Sequence, residues 1–169
     1  MTNVTQPHIV GSGLVAGAQV LLYEGSTRLG GGVADGQGNY AIQPDSPLAD
    51  GVHSLSVRQV VAGVASDASA SRDIGIDTTP MDLSSLSWVV PPSPQINAAV
   101  ALEFPDPLGS ILSLTVSAGS QPTQVQIDPT DPRRLDFHWQ TPGSGSVNLA
   151  GTVTDIAGNA SSFVKPVSF

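Results

Sequence analysis

With 169 residues, the chain has room for one large or two small domains. It contains no cysteine, so disulfides, thiolate catalysis and cysteine-held zinc are excluded. Eighteen glycines and fourteen prolines against 12% charged residues exclude long helices and favour short strands with many turns.

The formal net charge is −8, and residues 1–80 and 81–169 each carry three basic and seven acidic residues. No basic patch stands ready to neutralise phosphates, so nucleic acid and anionic membrane are poor partners. The acidity reads as solubility and resistance to self-association. Val, Ile and Leu recur in strand-like runs, which sets aside a disordered polar coil. Met1 to Pro7 has neither a basic n-region nor an apolar h-region, and no run is long enough to span a membrane. Read as a complete reading frame, the sequence does not export or anchor itself.

In chain order, His8 to Val10 reads as a short edge strand and Gln19 to Tyr23 as a central strand with both faces apolar. Arg28 to Val33 returns, with Gly30-Gly31-Gly32 marking a bulge or a close backbone approach. Ala34-Asp35-Gly36-Gln37-Gly38-Asn39-Tyr40 reads as a hairpin, strand to turn to strand. Pro44 to Gly51 is turn-rich, with Leu48 anchoring it to the core. His53 to Val61 alternates, Leu55 and Val57 facing one way and Ser54, Ser56 and Arg58 the other. Gly63 marks a turn, and Ser69 to Ile76 is the last strand of the first half. Asp77-Thr78-Thr79-Pro80 reads as a linker, because proline denies a ladder its donor.

In the second half, residues 81–85 are short and polar, and Leu86 to Val90 and Ala98 to Phe104 are strands. Pro91-Pro92-Ser93-Pro94 between them stiffens a crossing. Ile111 to Val116 alternates, with Leu112, Leu114 and Val116 on one face. Thr123 to Ile127 follows, and then Leu135, Phe137 and Trp139 share a face opposite Arg134, Asp136 and His138. Gly143-Ser144-Gly145-Ser146 reads as a hairpin tip. Val147 to Val153 and Ser162 to Val167 form a last hairpin around Asp155 to Asn159. Turn signals every 8–12 residues, roughly, are the spacing of sandwiches or barrels.

Four stretches between residues 15 and 80 carry a family resemblance. They are Val15-Ala16-Gly17-Ala18-Gln19-Val20-Leu21-Leu22-Tyr23, the Leu29-Gly30 to Tyr40 segment, Leu48-Ala49-Asp50-Gly51-Val52-His53-Ser54-Leu55, and Asp77-Thr78-Thr79-Pro80. In this order they resemble the bacterial Ig-like domain family. Thr152-Val153-Thr154-Asp155-Ile156-Ala157-Gly158-Asn159-Ala160-Ser161 is similar to the final hairpin of that family. Val60 to Ser66 departs from it, and the early strand motifs are hard to find after residue 80. The resemblance implies an all-β fold of two tandem Ig-like β-sandwiches, at 1–80 and, divergent, at 81–169. It implies a non-enzymatic module of bacterial surface adhesins or bacteriophage structural proteins.

Catalytic chemistry finds no foothold. His8, His53 and His138 lack metal-ligand spacing, and the resemblance implies that His53 is a strand-entry residue. No Gly-x-Ser-x-Gly elbow occurs, and Glu24 and Glu103 are the only glutamates. The sequons at Asn3 and Asn159 are chance matches, and Asn159 is explained by its turn. Asp73, Asp77 and Asp82 cluster around the linker, and Asp155 could approach from a hairpin tip. Together they are candidate Ca²⁺ ligands at the domain junction, against the plainer reading of a solvated acidic linker. Trp88, Phe104, Phe137 and Trp139 are candidate docking anchors for a protein partner, or else core.

The expected function is that of a virion-associated structural protein, decorating a capsid or tail by binding a capsid or tail protein. A bacterial adhesin stalk, at the cell surface, and a carbohydrate-binding module with weak glycan contacts are the alternatives.

Overall fold

The computed structural model describes residues 1–93, 97–117, 120–141 and 144–169. Pro94 of the expected proline cluster and Gly143 of the expected hairpin tip lie outside them. The chain is all-β and divides into two compact units, Met1–Thr78 and Thr79–Phe169.

In the first unit, β1 (Ile9–Gly11) pairs with β4 (Tyr40–Ile42) in a two-stranded sheet. The larger sheet runs β3 (Thr27–Val33), β2 (Gln19–Glu24), β5 (Gly51–Val61). The far edge of β5 is shared by β6 (Val64–Ala65) and β7 (Arg72–Ile76). Thr2 bridges Ile76 in parallel, so the N-terminal segment runs beside β7. The core is small: Val20, Leu22, Ala34, Ile42, Leu55 and Val57. Leu48 is buried as expected.

The three glycines of β3 are needed for close approach. A Cβ on Gly30 would strike the Gln43 carbonyl, one on Gly31 the Val20 carbonyl, and one on Gly32 would lie 2.8 Å from Ile42. The register also slips between Leu22↔Gly30 and Tyr23↔Arg28, which is the bulge the glycine run suggested.

One expectation fails here. β3 and β4 belong to different sheets, so Ala34 to Tyr40 is a crossing between layers and not a hairpin. An Asx-bonded turn is a local structure, and its sequence is the same whichever sheet the next strand joins.

The second unit opens on a short 3₁₀ turn, Leu83–Ser85, capped by Asp82. The stretch 81–85 is less polar in effect than its composition suggests, because Met81 is buried and Leu83 packs on the core. Among the described residues seven strands follow: β8 (Ser87–Val90), β9 (Asn97–Glu103), β10 (Leu108–Val116), β11 (Thr123–Ile127), β12 (Arg134–Gln140), β13 (Ser146–Asp155) and β14 (Ala160–Ser168). They form a four-stranded sheet β11-β12-β9-β8 and a three-stranded sheet β10-β13-β14. Lettered A to G in chain order, these are the sheets A-B-E-D and C-F-G, the topology of a constant-type immunoglobulin sandwich. The unit that resembles the family less in sequence thus has the complete seven-strand pattern.

Leu135, Phe137 and Trp139 all point inward from β12, as their alternation implies. The alternation expected of β10 breaks. Leu112 is 59% exposed while Ile111 packs on the core. The register slips between Ile111↔Val153 and Ser113↔Thr152, so Leu112 is the extra residue of a bulge and is turned outward. β12 and β13 lie in different sheets and so do not form a hairpin with each other.

Candidate functional site

The polar side chains that looked most distinctive in sequence are bonded within their own units. Asp35 Oδ1 accepts from the backbone N–H groups of Gln37 and Asn39, each at 2.8 Å, and its Oδ2 accepts from Asn39 Nδ2 at 3.0 Å. Gly38 closes the loop at φ +78°, donating to the Asp35 carbonyl. These hydrogen bonds, led by the one from the Asn39 side chain, hold the Asp35 carboxyl below the usual carboxylate range.

Asp155 repeats the device. Its Oδ1 accepts from the backbone of Ala157, Gly158 and Asn159 at 2.9, 2.8 and 3.0 Å, and its Oδ2 from Asn159 Nδ2 at 3.0 Å. Burial alone would raise this carboxyl, but the bonds from Asn159, Gly158 and Ala157 override it and keep the pKa low. Here the turn does join paired strands, β13 and β14. It also receives the incoming chain, since Asn159 Nδ2 donates to the Thr79 carbonyl at 3.3 Å and Ser161 Oγ to that of Met81 at 2.9 Å.

The Leu48 to His53 stretch works as one clasp. Asp50 Oδ1 accepts from the backbone N–H and hydroxyl of Thr78 at 3.0 and 2.8 Å, tying down the end of the first unit. His53 Nε2 donates to the Ala49 carbonyl at 2.9 Å, and Nδ1 donates to Glu24 at 3.0 Å. Both ring nitrogens face oxygen acceptors, so the imidazolium is favoured. The bond to Ala49, then that to Glu24, raises the pKa above its ordinary value. Sequence reading missed the Glu24 partner, which lies on a different strand.

The proposed Ca²⁺ ligands are placed as follows. Asp73 is exposed on β7, and Asp77 follows the end of that strand. Asp82 caps the 3₁₀ turn through Ser84 N–H at 2.9 Å. Asp155 does not reach out from its hairpin, because both of its oxygens are bonded inside the turn. Among the described residues, no group of three or more acidic or histidine side chains converges as a metal site.

The proposed docking aromatics are corrected more sharply. Phe104, Phe137 and Trp139 are each 1% exposed and belong to the core of the second unit. Phe104 meets Phe163 edge-on at 5.8 Å, and Trp139 meets Phe169 at 6.1 Å. A small domain needs its largest side chains to fill the space between its sheets, so no ring face is left for a partner. Trp88 is half-buried, packs against Phe137 at 6.5 Å, and is covered by Lys165, whose Nζ donates to the Leu86 carbonyl at 2.8 Å.

The described residues also form surface depressions. A cleft of about 320 Å³ lies in the first unit between β1 and the β5–β7 edge, floored by Leu22, Leu55 and Ile74 and rimmed by His8, Arg72 and Asp73. A groove of about 460 Å³ lies on the outer face of β9, β11 and β12, lined by Gln124, Gln126, Arg134, Asp136 and His138. Arg134 Nε donates to Asp136 at 2.8 Å there. Such a row of amide, carboxylate and imidazole groups can bond hydroxyls, but it holds no exposed ring on which a sugar would stack. Neither depression sets a nucleophile beside a base.

Residues 1–78 match the family described as Bacterial Ig-like domain. No curated protein matches the chain. Domains of this family are structural and adhesion-type modules, non-catalytic as a rule.

Proposed function

Because residues 1–78 match the bacterial Ig-like domain family, we propose that the chain is a structural and binding protein of a virion, decorating a capsid or tail. One observation carries the non-catalytic part of this reading. The side chains most distinctive of the family stretch (Asp35, Asn39, Asp50, His53) bond within the first unit and hold its loops. They are scaffold, so binding falls to the exposed sheet faces and edges. Two small sandwiches of −4 each, without cysteine, suit repeated display on a particle, where like charge keeps neighbouring copies apart.

The direct test is quantitative mass spectrometry of density-purified particles and of washed cell envelopes from the source culture. The expected result is a fixed stoichiometry to a capsid or tail protein. The match of residues 1–78 to a family of adhesion-type modules also supports a second reading, a piece of an adhesin stalk. Peptides found only in the envelope fraction, within a longer polypeptide, would replace the virion reading with that one.

A further inference from the structure

The two layers of the first unit are unequal. β1 and β4, three residues each, cover the larger sheet only in part, which leaves the cleft between β1 and the β5–β7 edge. Along that edge the register pairs Leu55↔Arg72 and His53↔Ile74. Leu55 is buried, so position 72 lies on an inward row where alternation calls for an apolar residue. It holds an arginine instead, exposed and lining the cleft above its floor of Leu22, Leu55 and Ile74.

Two more donors line the same cleft. The Tyr40 ring reaches across from β4, and its hydroxyl lies over β1 where a Cβ on Gly11 would be. His8 stands exposed on the rim. Among the described residues, none of the Arg72, Tyr40 and His8 side chains has a hydrogen-bond or ion-pair partner. An arginine on a core row with no acid to hold it breaks the pattern that stabilises a sandwich, and such breaks are expected where a site is built.

We propose that this cleft binds a small amphipathic carboxylate, a short acyl or aryl acid, with its apolar body on the floor and its head group on Arg72. Charge complementarity selects the head group. The guanidinium presents a planar fork of donors that fits a carboxylate, and the phenol hydroxyl and the imidazole can each add a hydrogen bond. Asp73 is the one carboxylate among the cleft residues, and its register partner is Ser54, on the outward row of β5. Glu24, Asp35 and Asp50 are bonded to His53, Asn39 and Thr78 and do not line the cleft. Arg72 repels a cationic head group, and an uncharged one gains no ion pair from it. The volume of about 320 Å³ limits the ligand to a small one.

The test is two-dimensional amide NMR of the labelled full chain, titrated with hexanoate to about 20 mM near pH 7 and about 150 mM salt. Saturable shifts are expected on β1, β5 and β7, with a Kd of about 0.1–5 mM. Hexan-1-ol and hexylammonium are expected to bind at least about tenfold more weakly. These two arms use the unmodified chain, so they decide whether or not a variant folds. Arg72→Gln should weaken hexanoate at least about tenfold, while Arg28→Gln, which removes the same charge from an exposed position on β3, should leave it unchanged. The amide spectrum of each variant reports its fold. No saturable shift with hexanoate, hexan-1-ol binding as tightly, affinity unmoved by Arg72→Gln, or shifts centred away from the cleft would each overturn the proposal.

Discussion

His53 is held between two acceptors, the Ala49 carbonyl at 2.9 Å and Glu24 at 3.0 Å, and its pKa lies above the ordinary 6.5. The pair therefore stabilises the first unit fully below about pH 6.5, and the contribution is lost as pH rises through the folded-state pKa. Glu24→Gln should flatten that dependence: the urea midpoint of the variant should fall less between about pH 5.5 and about pH 8.5 than that of the unmodified chain. An equal fall in both would refute the role of the pair. The aspartate turns give a second contrast. Asp155 is buried and its carboxylate accepts four hydrogen bonds, so Asp155→Ala leaves buried N–H groups without their acceptor and should cost about 2–3 kcal/mol. Asp35 makes almost the same bonds in the open, where water can replace the carboxylate, so Asp35→Ala should cost clearly less. Chemical denaturation of the two variants compares them, and equal losses would show that burial is not what separates the two turns.

At the scale of strands, an aromatic ring covers a glycine on the neighbouring strand in each unit. Tyr40 lies over Gly11 across β1 and β4, and Phe163 over Gly151 across β13 and β14. A Cβ on Gly151 would sit 2.6 Å from the Phe163 ring and 3.1 Å from the Ser113 carbonyl, and Phe163 is itself braced by Phe104. Gly151→Ala should therefore destabilise the second unit by about 1–3 kcal/mol through overpacking. A melting temperature at or above that of the unmodified chain would show that Phe163 can move aside. The same scale explains what could be read from sequence. Leu135, Phe137 and Trp139 were legible because β12 keeps unbroken alternation. Leu112 was not, because a bulge shifts the period by one residue without leaving a mark in composition. The Glu24–His53 pair was hidden for a related reason, since partners 29 residues apart meet only once β2 and β5 take their register. The Asp35 and Asp155 turns look alike in sequence because they are alike locally, and only the sheet assignment of the next strand separates a crossing from a hairpin.

At the scale of the whole chain, each unit has its own core and its own sheets, so each should answer to pH through its own titrating groups. The first unit combines a carboxyl with a lowered pKa, Asp35, and a histidine with a raised one, His53. Its stability is bounded on both sides, eroding as pH falls through the folded-state pKa of Asp35 and again as pH rises through that of His53. The second unit has two lowered carboxyls, Asp128 and Asp155, and its raised Arg134 titrates far above any useful pH. Those two carboxyls bound it on the acid side. Raising pH from about 5.5 to about 8.5 should thus lower the urea midpoint of the first unit and leave that of the second in place, while acid below about pH 4 should weaken both. Residue-resolved hydrogen exchange separates the two in the intact chain, with Leu22 and Leu55 reporting on the first core and Leu135 and Leu149 on the second. A common shift of both units between those two pH values would mean that they unfold as one, and the independence inferred from their separate cores would fall.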